Sequence, residues 1–265
     1  MSLAVFRRSL FEARWILGGL GLALAGFSAL LTAIFPSFRA QAALVERLLP
    51  SFVRMLLTAA PIDRPEGFLS WAFQHPVWLA LALAWPIAAA GSAIAGEIER
   101  GTLAWVLATP VSRTGYFSAR ALAIVLGEAL VVGAGAAAFG IGSWRLGDLP
   151  AGGGRGILLA AVEAWLLFVA IGSICLAVSA LTREAGRVYA FGIGFSAASQ
   201  ILSLLAQMWA PARAIVGISL FAYFRPFDAL AGHAVRATSF CVPLGVSVVA
   251  LLAGWQAFKR RALAI

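Results

Sequence analysis

Two glutamates stand inside long apolar runs: Glu128 in YFSARALAIVLGEALVVGAGAAAFGIG and Glu163 in GILLAAVEAWLLFVAIGSICLAV. An ionisable group at membrane depth is a functional candidate by default. Each could face a substrate cavity, relay a proton or an ion, pair with an arginine, or be satisfied by a helix neighbour or near-interface water. Glu128 lies about two to three turns from one end of its run, and Glu163 about two turns from the opposite end of the other. Those depths differ, so the two are not expected to pair. A second cluster is GEIERGTLAWVLATPVSR, residues 96–113, where acids and arginines bracket a short apolar block. Other chemistry is sparse. The two histidines, His75 and His233, sit at the edges of apolar runs, and neither belongs to an H-E-x-x-H zinc motif. Cys175 and Cys241 are separated, far from a histidine, and read as small buried hydrophobes. That set supports neither a metal centre nor a nucleophilic enzyme.

The elements that must position these residues are membrane helices. The chain has 265 residues, 62% hydrophobic and 12% charged, with a mean hydropathy of +0.94. A soluble domain carries about a quarter charged residues, so water cannot coat this one. The +9 balance is almost all arginine, with Lys259 the sole lysine. The arginines fall singly at the ends of apolar runs, where they meet headgroups, so nucleic acid is not the expected partner. A spanning helix needs about 20 apolar residues. Runs at 15–35, 76–96, 116–142, 156–181, 188–209 and 239–258 predict an all-α protein of six spans. The first span is expected to be uncleaved and to break at Pro36. Pro86 and Pro243 fall within spans, where neighbouring helices absorb a kink. The small residues ending the third span suit close packing.

Six spans place both termini on one side. With the termini inside, cytoplasmic segments hold eleven Lys and Arg against nine outside, and the inner charges sit closer to the spans, which favours cytoplasmic termini. An interfacial helix is expected over LAVFRRSLFEARW. In the outer segment after the first span, Leu44, Val45, Leu48, Leu49, Phe52, Val53, Leu56 and Leu57 share one helical face, opposite Glu46, Arg47, Ser51, Arg54 and Thr58, an amphipathic helix on the membrane or the protein. It could serve as a lid or as simple interfacial packing. The whole of 1–265 reads as one membrane domain.

Within 96–113, Gly101 interrupts the second span's extension, Thr102 can cap a new helix, and Pro110 ends it. Ser112 can cap the next span. The product is a short helix across the mouth of a two-span hairpin. Leu103, Val106 and Leu107 share one side, Trp105 lies at the edge, and Glu97, Glu99, Arg100 and Arg113 flank it. An in-plane helix burying its leucines in lipid explains the grease. A rigid knob with charged borders suits a docking partner: apolar contacts for affinity, charges for register.

The stretch AGEIERGTLAWVLATPVSR resembles the signature of type-2 ATP-binding-cassette (ABC) exporter permeases, in which an acidic pair, a basic residue, Gly-Thr-Leu, a short apolar stretch and a Pro-x-Ser-Arg-like end follow the second span. The matching positions are Glu97, Glu99, Arg100, Gly101, Thr102, Leu103, Pro110, Ser112 and Arg113. Ile98 departs from it, since many members carry an acid or polar residue there. The likeness extends over most of the chain. It implies that 102–109 is a coupling helix seated in a cytoplasmic ATPase, with Leu103, Val106 and Leu107 filling the groove. A self-contained ATPase would need a G-x-x-x-x-G-K-[ST] loop, and no Gly-Lys pair occurs. AGGGRG at 151–156 is therefore expected to be a turn, with no nucleotide-binding domain in this chain. The resemblance further implies two copies of a partner ATPase carrying ATP and Mg, no cofactor on this chain, a second or related permease, and residence in the cell membrane. In SLFAYFRPFDALAG, Tyr223, Arg225, Pro226 and Asp228 suggest a re-entrant hairpin at an outer gate, or an aromatic belt. The rival reading is an ion- or proton-coupled transporter working through Glu128 and Glu163.

Overall fold

A computed structural model describes residues 2–48 and 61–261, with the backbone alone described for 42–48. In chain order the helices are α1 (Leu3–Leu48), α2 (Pro65–Phe73), α3 (Pro76–Ala93), α4 (Ala95–Glu99), α5 (Leu103–Leu107), α6 (Arg113–Leu146), α7 (Gly153–Leu181) and α8 (Ala185–Met208). There follow α9 (Ala210–Ile215), two 3-10 turns (Val216–Ile218 and Leu220–Tyr223), α10 (Pro226–Leu230) and α11 (Thr238–Arg260). No strand occurs among the described residues. Six of the helices, α1, α3, α6, α7, α8 and α11, are long and apolar enough to cross a membrane. The protein is a polytopic all-α membrane protein.

The bundle is built around α7, whose run from Ile157 to Ala180 is buried along most of its length. Glycines let the helices close on it. A Cβ on Gly127 would lie 2.3 Å from Trp85 Nε1, and one on Gly172 would lie 2.8 Å from Pro86, so neither approach survives a side chain. The indoles satisfy their N–H groups on neighbouring carbonyls of α6: Trp85 donates to Ile124 O at 3.2 Å and Trp165 to Val125 O at 2.9 Å. The small-residue end of the third span packs as its composition predicts, with Gly135 against Leu24 and Gly142 against Thr32 of α1.

Two expectations change, and a third is described only in part. Pro36 does not break the first span, because α1 runs through it. Phe35 is buried against Phe68, and Arg39 pairs with Asp148 at 2.6 Å, so both flanks of the proline are held in line despite the lost backbone bond. The N-terminal segment is not a separate interfacial helix but the first turns of α1, tied by Ser2 N–H to Gly115 O. Of the amphipathic outer helix, residues 44–48 continue α1, while 49–58 lie outside the described residues.

Both described ends of the chain meet at one end of the bundle. Ser2 bonds Gly115, Glu99 bonds Ala185, and Arg113 bonds the carbonyl of Arg261. Residues 96–113 occupy that same end.

Candidate functional site

The site begins where the second span bends. At Ile94 (φ −119°, ψ −56°) the helix changes direction into α4. The two N–H groups freed by the bend, on Ile94 and Ala95, donate to Ser179 Oγ of α7 at 3.4 and 3.0 Å, and Ala93 O accepts from the Tyr116 hydroxyl. Gly101 turns the chain at φ +70°, a conformation that favours glycine. Thr102 does not cap α5; its hydroxyl donates to the carbonyl and the carboxylate of Glu97 instead. Ser112 does cap α6, accepting from Gly115 N–H at 3.0 Å.

The signature charges are engaged within the protein. The Glu97 side chain is only 6% exposed and pairs with Arg120 at 2.9 Å and Arg100 at 3.5 Å. Arg120, 12% exposed, also reaches the Tyr116 hydroxyl at 3.1 Å. Glu99 accepts the Ala185 N–H at the start of α8, at 2.9 Å. Arg113 donates to the carbonyls of Phe258, Lys259 and Arg261 at the end of α11, at 3.3, 3.2 and 2.6 Å. Arg261 in turn donates to Ala180 O and Thr182 O at the end of α7, where helix carbonyls attract a cation. Burial, and then the like charge of Arg183, lowers the Arg261 pKa.

The short helix faces the other way from the sequence reading. Leu103 is buried at 3% exposure, Val106 and Leu107 are half-buried against the core, and Trp105 stands out at 79%. Ala104, Ala108, Thr109 and Pro110 are exposed around it. Beside this knob, a groove of about 260 Å³ runs to the first turns of α1, lined by residues including Val5, Arg8, Trp105, Val106 and Arg120.

Glu128 is completely buried, and among the described residues no hydrogen-bond donor reaches either oxygen. Among the described residues no hydrogen bond joins it to Glu163. One Glu163 oxygen accepts the Arg225 N–H at 3.0 Å, and the other is unpartnered. Two separate expectations, a substrate-path acid and an outer-gate arginine, thus meet at one bond. Pro226 opens α10 and is buried, while Tyr223 donates to Gly217 O at 3.0 Å. Asp228 is half-exposed, and its backbone carbonyl accepts from His233 N–H. His75 caps α3 by accepting Val77 N–H at 3.2 Å, and its ring lies against Phe27 and Trp71. Burial lowers its pKa. Among the described residues no group of His, Cys, Asp and Glu is placed to hold a metal ion.

Sequence reasoning passed over Arg120, Tyr116 and Ser179. Arg120 could have been found: a cation two turns inside a span needs a named partner, and Glu97 is the nearest buried acid. Ser179 carried no such signal. The family model described as "ABC-2 family transporter protein" matches residues 72–263. No curated protein matches the chain.

Proposed function

Because the chain belongs to the ABC-2 family of transporter proteins, we propose that it is the permease of an ABC exporter, driven by a separate ATPase that docks on the end of the bundle carrying residues 96–113. The observation that carries this reading is the knob itself. A five-residue helix is too short to hold shape alone, yet α5 is fixed by Gly101, Thr102 and the buried Glu97–Arg120 pair while it exposes Trp105. An exposed aromatic on a rigid base, beside a groove, suits a protein partner better than lipid.

On this reading Trp105, Ala104, Ala108 and Thr109 meet the ATPase and Arg100 borders the contact. Glu97, Glu99 and Arg113 hold the frame behind them. ATP and Mg sit on two copies of the partner, a second or related permease completes the translocation path, and both termini are cytoplasmic in the cell membrane. Nucleotide binding would shift the docked segment, and the spans would change access. The test is a pull-down from native membranes in mild detergent, with ATPase activity assayed on the eluate. Trp105→Glu, at a side chain that is mostly exposed, should release the ATPase from a chain that is still inserted. An unaltered chain that emerges alone and inert would refute the reading.

The unpartnered, buried Glu128 favours a second reading, ion- or proton-coupled transport. It predicts transport without any ATPase and abolition by Glu128→Gln.

A further inference from the structure

The start of α8 has no cap of its own. Its N-cap residue is Glu184, whose side chain makes no capping bond and instead pairs with Arg187 at 2.8 and 2.9 Å. The acceptor at this helix start comes from 86 residues upstream, where Glu99 Oε2 takes the Ala185 N–H at 2.9 Å. A carboxylate at a helix N-terminus is favoured both by the free N–H groups and by the helix dipole. Gly96 lies beside the same residue, since a Cβ there would meet that of Ala185 at 3.7 Å, an ordinary van der Waals distance. The helix it holds is also weakly embedded: 22% of the apolar window of α8 is buried, against 72% for α7. Its close contacts are local, with Tyr189 against Gly91 and Gly192 against Cys175, and its start is the end tied to the docked segment.

We propose, resting on the permease reading above, that Glu99 is a positioning residue that couples the docked segment to α8, so that displacement of residues 96–108 carries the start of α8 with it through the Glu99–Ala185 bond. Glu99 here does not touch the partner; it acts through α8. The remaining ties described at this end go to other helices: Glu97 to Arg120 of α6, Ala95 to Ser179 of α7, and Arg113 and Arg261 to the ends of α11 and α7, and α7 is the packed centre of the bundle.

The donor can be removed without altering Glu99. Proline is accommodated at the first position of a helix, and Glu184 (φ −121°, ψ 123°) already holds the extended backbone that a residue before proline adopts. Ala185→Pro therefore deletes the N–H, and Ala185→Ser keeps it. Both are compared with the unaltered chain in the captured complex, with spin labels placed by Gly194→Cys on α8 and Leu252→Cys on α11 and the native cysteines replaced. Distances are read without nucleotide and with a non-hydrolysable ATP analogue and Mg. The unaltered chain and Ala185→Ser should show a nucleotide-dependent shift. Ala185→Pro should lose most of it while retaining the ATPase. Glu99→Ala should lose the shift to the same extent, with nothing added in combination with Ala185→Pro, and Glu99→Gln, which keeps an acceptor, should restore it. Should Ala185→Pro fail to insert, the Glu99→Ala and Glu99→Gln pair decides alone. A full shift in the proline and alanine variants, or loss of the ATPase from Ala185→Pro, would overturn the proposal. An unaltered chain that captures no ATPase would instead overturn the permease reading, and this coupling with it.

Discussion

Replacing Arg120 by methionine tests whether the inward-turned charges hold the frame. The Glu97 and Arg120 side chains are 6% and 12% exposed and lie 2.9 Å apart. Breaking a buried pair leaves an uncompensated charge and costs about 3–5 kcal/mol. The low end applies, because Arg100 at 3.5 Å and the Thr102 hydroxyl still touch the Glu97 carboxylate. A loss of about 3 kcal/mol in a chain of this size lowers a melting midpoint by about 6–12 °C. Adding Glu97→Gln should recover part of that loss, since the amide no longer needs a cation and still bonds Thr102; the coupling between the two sites should be about 1–3 kcal/mol. The assay is the monodisperse fraction left in mild detergent after heating at one fixed rate, because membrane proteins unfold irreversibly and only matched scans compare. A midpoint for Arg120→Met within about 2 °C of the unaltered chain, a shift worth under 1 kcal/mol, or strictly additive losses in the double variant, would refute the reasoning.

Gly101→Ala should cost about 1–2 kcal/mol from backbone conformation alone, since φ is +70° and nothing lies within 4 Å of a Cβ there; Gly101→Asn should fall between, and the order of melting midpoints checks it. The lowered pKa of His75 means that the unfolded chain binds its proton more readily than the folded one. Its contribution to stability is therefore full above the ordinary histidine value and is lost as pH falls through the window just beneath it; His75→Asn, which can still cap α3, should flatten a melting-versus-pH curve there. Cys175 is buried and Cys241 exposed, so an apolar maleimide should label one thiol in the folded chain and both after denaturation, as mass spectrometry would count.

Much of the fold was legible because bilayer-length apolar runs leave few alternatives. The predicted 116–142, 156–181 and 239–258 all fall within α6, α7 and α11. Pro36 misled, because its local cost is outweighed by contacts from Phe68 and Asp148, far along the chain. The charged segment was legible as a short helix, but neither in its cap nor in its facing. Under two turns carry no periodicity, and the charges that set its orientation bond residues 23, 86 and 145 positions away. Nothing in the sequence assigns Arg120 a partner, and folding gives it Glu97. Glu163 and Arg225 were noted separately, and only the folded chain joins them.

The knob has two sides with different histories open to them. Its inner side, Leu103, Val106 and Leu107, packs on the hydrophobic core, so a change there disturbs the bundle. Its outer side, Ala104, Trp105 and Ala108, is exposed. Mutation can rewrite that surface without selection for folding opposing it. A lineage of such chains can be re-addressed to a new partner by drift at a few solvent-facing positions, while the membrane machinery is inherited intact.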